Sequence, residues 1–204
     1  MGYWGTLALL AGAHTLATIS PGPNFLFVSS TAMHLSRRAG IAAGLGVAAA
    51  SITWSVLTLS GLGLIISRSP EIYDALRLVG AVYLIWLGGK MAWKAGGPVS
   101  STATITKNGW TAARKAWVVT MTNPKSMAYY GSVFAVLLPS HAPVWVYAAT
   151  VGITSLISCI WYCGVAWLLS GEAPRRAFLK ARGAMERVIG LFLVGLGIRM
   201  LTMR

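Results

Sequence analysis

Ser20-Pro21-Gly22-Pro23-Asn24 interrupts Met1 to Ser36, a stretch without a single Asp, Glu, Lys or Arg. A second proline, in Thr122-Asn123-Pro124-Lys125, interrupts the apolar stretch Ala116 to Pro139, whose one charge is Lys125. Proline lacks an amide hydrogen. Pro21 and Pro23 therefore leave the carbonyls of Ala17 and Ile19 without their helical donors, and Pro124 does the same to Thr120. An unmet carbonyl in hydrocarbon costs several kcal/mol, so such backbone is tolerated only where it faces protein or a watery cavity.

Hydrocarbon is the expected surrounding. Of 204 residues 56% are hydrophobic and 10% charged, with a mean hydropathy of +0.67, which describes a membrane protein rather than a soluble domain. Ala39 to Ser67 and Ala142 to Gly171 are also free of Asp, Glu, Lys and Arg. With the two proline-containing stretches they make four candidate spans, since a bilayer core takes roughly 20 helical residues to cross. Ile72 to Lys94 and about Ala184 to Met203, each with an uncharged centre bounded by basic residues, predict two more. The start, MGYWGTLALL, has no basic residue ahead of its apolar run and is expected to be a true first helix rather than a cleaved signal.

The net charge of +13 would suggest nucleic acid in a soluble chain, but its distribution points to topology. With six spans, twelve of the 17 Lys and Arg fall in the first, third and fifth loops and four on the other side, with Lys125 left inside a span. Basic loops stay cytoplasmic. Both termini are then outside, and no nucleic-acid partner is expected. Trp4, Trp93, Trp110, Trp145 and Trp167 lie near the expected ends as interfacial anchors.

The two halves share a pattern. Val79-Gly80 leads to Leu87-Gly88-Gly89-Lys90-Met91, and Ile189-Gly190 leads to Leu196-Gly197-Ile198-Arg199-Met200. A proline break lies upstream of each. The chain thus reads as an all-α integral membrane protein of six transmembrane helices in two inverted three-helix repeats with proline-broken first helices. Residues 1–98 and 108–204 would be the repeats and 99–107 a cytoplasmic linker. Inverted repeats with interrupted helices mark transporters, with the binding site at the breaks. Small residues at Gly40, Gly44, Gly61 and Gly63 suit close helix packing and permit a homodimer.

The breaks offer carbonyls to an ammonium group and helix N-termini to a carboxylate, which together describe a zwitterionic amino acid. Gly22 leaves room for close approach, and Asn24 and Asn123 can each donate and accept. Lys125 is a charge about ten residues into a span and a functional candidate by default; it could hold a carboxylate, swing between sites, or snorkel to the interface. His14 is the mid-span side chain of a type whose unperturbed pKa is near neutral and a candidate proton carrier, though bundle packing would also account for it. Tyr129 and Tyr130 follow the second break and suit a cavity wall or the core. HExxH, GxxxxGK[ST] and GxSxG motifs are missing, so the usual marks of metalloproteases, ATP-driven pumps and hydrolases are absent. No enzyme activity, metal or cofactor is expected. A non-transporting scaffold subunit and an exporter of a cation or other solute are the competing readings.

SPGPNF at residues 20–25, LVGAVYLIWLG at 78–88 and TNPKSMAYYGSVF at 122–134 resemble the LysE/RhtB amino-acid exporter family, over nearly the whole chain. His14 ahead of SPGPNFLFVS, with NPK shortly before YYGSVF, is most like the threonine and homoserine efflux branch. The resemblance implies proton-driven export of small neutral amino acids from a bacterial cytoplasm through the inner membrane. It places the family's first motif on Pro21, Gly22, Pro23 and Asn24 and its second on Asn123, Pro124 and Lys125. Some threonine-exporter-like sequences carry Asp where this chain has Asn24; if that acid serves proton coupling or ammonium binding there, this chain uses another group or takes a different substrate.

Overall fold

The computed structural model describes residues 2–20, 22–68, 78, 81–82, 85–86, 88–90, 92–96, 108–137 and 142–202. Seven helices lie within them: α1 Tyr3–Ile19, α2 Pro23–His34, α3 Arg37–Arg68, α4 Gly109–Met121, α5 Pro124–Leu137, α6 Val144–Leu169 and α7 Glu172–Thr202. The described residues of 78–93 are helical as well.

The expected architecture of six spans in two inverted three-helix repeats is overturned. Among the described residues, two helices are long and apolar enough to cross a membrane, α3 over Arg37–Gly61 and α6. The proline breaks are one reason. They divide the first and fourth apolar stretches into helices of 17 and 12 and of 13 and 14 residues, each short of the roughly 20 a span requires. Charge is the other, because α7 runs 31 residues but carries Arg175, Arg176, Lys180, Arg182, Glu186 and Arg187 in its first half. Much of the expected third span, Ile72 to Lys94, and all of the linker 99–107 lie outside the described residues.

The packing carries more polarity inside, between its apolar clusters, and more apolar surface outside than a water-soluble bundle does. Thr6, His14, Thr18, Asn24, Ser51, Ser55, Asn123, Thr150, Thr154 and Ser158 are buried, while Leu45, Ile52, Val56, Leu156, Ile160, Val188 and Leu191 face outward. A surface of this kind is suited to lipid. Trp145 and Trp167 mark the ends of α6, 22 positions or roughly 33 Å apart at 1.5 Å per residue, close to the thickness of a hydrocarbon core. Tyr3 and Trp4 pack on Trp145 at one end. At the other, the Arg37 guanidinium lies over Trp167, 5.5 Å from its ring centre, and donates to Ser170.

Helix α3 is the spine, gripped by α6 and by α4. A Cβ on Gly44 would lie 3.0 Å from the backbone of Tyr162 and Cys163, and one on Gly46 would overlap the carbonyl of Ala113. Gly40 packs against Ala32 and Ala166. Gly40 and Gly44 thus serve the close packing expected of them, whereas Gly61 faces open space. The glycines of the two similar sequence patterns also meet. Gly88 packs on Gly190, and Gly197 on Ala81 and Ile85, so α7 runs antiparallel to the helical residues of 81–88. Glu186, whose place near the expected start of the last span suggests a solvated charge, is buried and accepts a 2.7 Å hydrogen bond from the amide of Gly96. That glycine has φ +79, a conformation open to glycine because it has no Cβ.

Gly46→Ala should push α4 off α3 and cost about 1–3 kcal/mol by overpacking, read as a lower unfolding temperature of the purified protein in detergent. Gly61→Ala should leave that temperature no lower.

Candidate functional site

Two of the carbonyls that the prolines release, those of Ala17 and Thr120, find donors from distant parts of the chain. Lys125 Nζ donates to the carbonyl of Ala17 at 2.9 Å and to that of Ser20 at 3.0 Å. Ala17 is the residue whose helical donor would have been the amide of position 21, which is proline. At the other break, the Thr120 carbonyl accepts from the Trp54 indole and from the Asn123 amide, both at 3.3 Å. Each break therefore receives a donor from the other half of the molecule.

The asparagines join the two breaks directly. Asn123 Oδ1 accepts from the Lys125 amide at 3.0 Å, capping α5, while its Nδ2 donates to Asn24 Oδ1 at 3.1 Å. One side chain thus caps a helix and ties it to the facing one. The start of α2 has no such side-chain cap. Its first turn begins with Pro23 at N1, where the missing amide is no loss, and leaves the amides of Asn24 and Phe25 without helical acceptors.

A cavity of about 40 Å³ lies where these elements converge, walled by His14, Gly22, Asn24, Asn123, Lys125, Tyr129 and Tyr130 together with Thr18, Ser51, Ser126, Ser158 and Tyr162. At roughly 10–15 Å³ per water it holds a few waters, and a larger solute must widen it. Three buried polar atoms among its lining residues, His14 Nδ1 and the hydroxyls of Tyr129 and Tyr130, make no hydrogen bond among the described residues. Buried polar atoms are seldom left so, and a solvated or ligand-binding space accounts for them. On its other nitrogen His14 meets Ser158 Oγ at 3.0 Å, and Ser51 donates to the same oxygen at 2.8 Å. Both tyrosine rings pack near the His14 ring, with centres 5.2 and 5.9 Å away.

Of the residues expected from the sequence, His14, Gly22, Asn24, Asn123, Lys125 and Tyr129 line this one cavity. Pro23 opens α2 and is exposed, Pro124 opens α5, and Pro21 lies outside the described residues. Gly22 is in extended backbone that any residue can adopt. A Cβ there would stand 3.6 Å from Lys125 Cδ and 3.7 Å from its Nζ, so the space the glycine leaves open is that of the lysine stem. Sequence inspection missed Ser51, Ser158 and Tyr162. The signal was present as Thr150, Thr154, Ser158 and Tyr162, a run of hydroxyls every fourth residue on one buried face of α6, with Ser51 and Ser55 of α3 bonded to it.

Among the described residues the lining carries one ammonium group, the carbonyls that it holds, paired amides and hydroxyls, and no carboxylate. No cluster of three or more His, Cys, Asp or Glu that could hold a metal occurs among the described residues. Such a set can bind, orient and release a small polar solute.

Comparison with known proteins gives this site its context. Residues 15–204 match the LysE type translocator family. The chain belongs to that family. This LysE-type translocator is 31% identical to the uncharacterized membrane protein YahN of Escherichia coli K12, over 95% of this chain and 87% of that one. It is 29% identical to the threonine efflux protein of E. coli K12, over 96% and 97%. It is 28% identical to the leucine efflux protein of Enterobacter sp. 638, over 90% and 89%. No solved structure matches the chain. A LysE-type translocator is a membrane-embedded exporter of small molecules and not an enzyme, and the outward apolar surface of this one suits a lipid bilayer as its partner.

Asn123→Ala removes both the cap of α5 and the tie to Asn24, and should cost about 1–3 kcal/mol, measured as denaturation in detergent. Asn123→Ser, which retains a capping oxygen but cannot reach Asn24, should recover about half of that.

Proposed function

We propose that this translocator exports small neutral amino acids from the cytoplasm, hydroxylated ones such as threonine and homoserine foremost, in exchange for protons. The observation that carries the reading is the pairing of Lys125 with the Ala17 and Ser20 carbonyls beside the joined Asn24 and Asn123. A cation for a carboxylate and carbonyls for an ammonium group stand within one buried cavity. The hydroxyls of Ser51, Ser126, Ser158, Tyr129 and Tyr130 in its wall favour a side chain that can hydrogen-bond over one that cannot, because an apolar side chain would leave them unpaired. A basic substrate is disfavoured by Lys125, with no carboxylate among the described lining residues to offset it. The names of the threonine and leucine efflux proteins among the relatives fit the class and leave the choice of side chain to the cavity.

His14 is the proposed carrier of the coupled proton. It joins the cavity to Ser158 and Ser51, and an imidazole is the side chain whose ordinary titration lies nearest to neutrality. The end of the molecule with Arg37, Arg38, Arg114, Lys115 and the start of α7 is proposed to face the cytoplasm, with both termini outside and the protein in the inner membrane.

In liposomes, labelled threonine, homoserine or serine should exchange well above leucine and lysine, and an imposed pH gradient should drive the solute toward the acidic side. Absence of exchange for every one of these, in vesicles holding folded protein, would overturn the reading. Lys125→Ala should abolish transport with folded protein still in the membrane. His14→Asn should lose gradient-driven accumulation and keep exchange; if accumulation persists, the proton takes another route.

A further inference from the structure

The lysine of the site occupies the place that a substrate's ammonium group would need. Two of the three donors of Lys125 are committed, to Ala17 and Ser20, and these are the cavity's carbonyls at the end of α1. Among the described residues no carboxylate lines the cavity to receive the lysine if it is displaced. Opposite its stem stands Gly22, whose missing side chain leaves the Cδ and Nζ atoms without a neighbour at that point. Beside it is the uncapped first turn of α2, with two amides free of helical acceptors. The unbonded His14 Nδ1 and Tyr129 hydroxyl in the same wall, both on residues more than nine-tenths buried, show that the cavity has polar capacity to spare.

We propose that Lys125 is a tethered occupant of the substrate's ammonium site, and that an incoming carboxylate is what draws it off. The inference rests on this cavity being the substrate site and adds how it selects. A zwitterion satisfies every party. Its carboxylate receives the Lys125 ammonium and lies against the first turn of α2, where anions are favoured. Its own ammonium then takes over the Ala17 and Ser20 carbonyls, so the count of donors on those carbonyls is unchanged. An amine without a carboxylate must instead face the Lys125 charge at close range, with nothing to hold the lysine elsewhere. A carboxylate without an amine draws the lysine away and leaves both carbonyls bare. The site is therefore selective for the pair of charges on one molecule, and in the absence of solute it keeps its carbonyls satisfied from within.

The test uses amines, so it does not depend on which amino acid is exported. Wild type, Lys125→Met and Lys125→Gln are purified into nanodiscs, and binding of 1-amino-2-propanol and of methylammonium is followed by titration and by the shift in unfolding temperature. Emptying the carbonyl site should lower the dissociation constant for the amines at least tenfold in Lys125→Met. Lys125→Gln, whose amide can still reach one carbonyl, should gain less. If Lys125→Met accumulates poorly, methylammonium added during purification should restore folded protein, because it replaces the missing donor. A folded Lys125→Met with wild-type amine affinity, or an unstable one that amines do not rescue, overturns the tethered occupant. The two readings fail separately: amino-acid exchange by the wild type without amine gain in the variant leaves export standing alone. Amine gain in the variant without any amino-acid exchange by the wild type leaves the tethered cation standing and removes the export reading.

Discussion

The carbonyls of Ala17 and Thr120, deprived of their helical donors inside a membrane-embedded bundle, constrain the rest of this molecule. Each proline removes a donor, and each loss must be made good by a group that can reach the break. Lys125 makes good Ala17 and also serves Ser20, while the Trp54 indole and the Asn123 amide serve Thr120. The donors that meet this need also build the cavity. A lysine brought in to complete a backbone carries a charge, and the charge in turn requires polar walls, which the small hydroxyl residues of α3 and α6 supply.

The supporting frame follows from the same distribution of polarity. Where lipid covers the outside, apolar side chains bring helices together no better than they hold them to lipid, and close backbone approach matters more. Gly40, Gly44 and Gly46 let α3 come into contact with α2, α6 and α4 through almost nothing but backbone. That contact places Ser51 and Ser55 within reach of Ser158 and Thr154, so the rigid part of the fold and the polar wall of the cavity have a common origin.

What the sequence made legible was local chemistry. The breaks, the carbonyls they free, and the involvement of Lys125, Asn24 and Asn123 all follow from the missing hydrogen of proline and the polarity of neighbouring residues. The number of spans did not follow, because hydropathy counts composition across Ser20 to Asn24 as though the helix continued through it. Partners remote in sequence were also hidden. Nothing near Thr120 points to Trp54, 66 positions away, and the expected free carbonyls carried no sign that Lys125 would fill them. Glu186 looked like a solvated charge near a helix end because the amide it receives belongs to Gly96, 90 positions before it. The hydroxyl stripe of α6 was visible as a four-residue spacing, but serine and threonine are common enough in apolar helices that spacing without a facing helix says little.

The tie between Asn24 and Asn123 has a mechanical consequence. Two broken helices are ordinarily two hinges, each free to bend in its own time. Here Lys125, which begins the second half of one broken pair, holds the end of the first half of the other, and the asparagines fasten the two gaps side by side. Straightening or opening either gap alone would strip a carbonyl of the remote donor that serves it. The two gaps therefore make a single joint, and the low-energy movements open to it are those that carry both helix ends together.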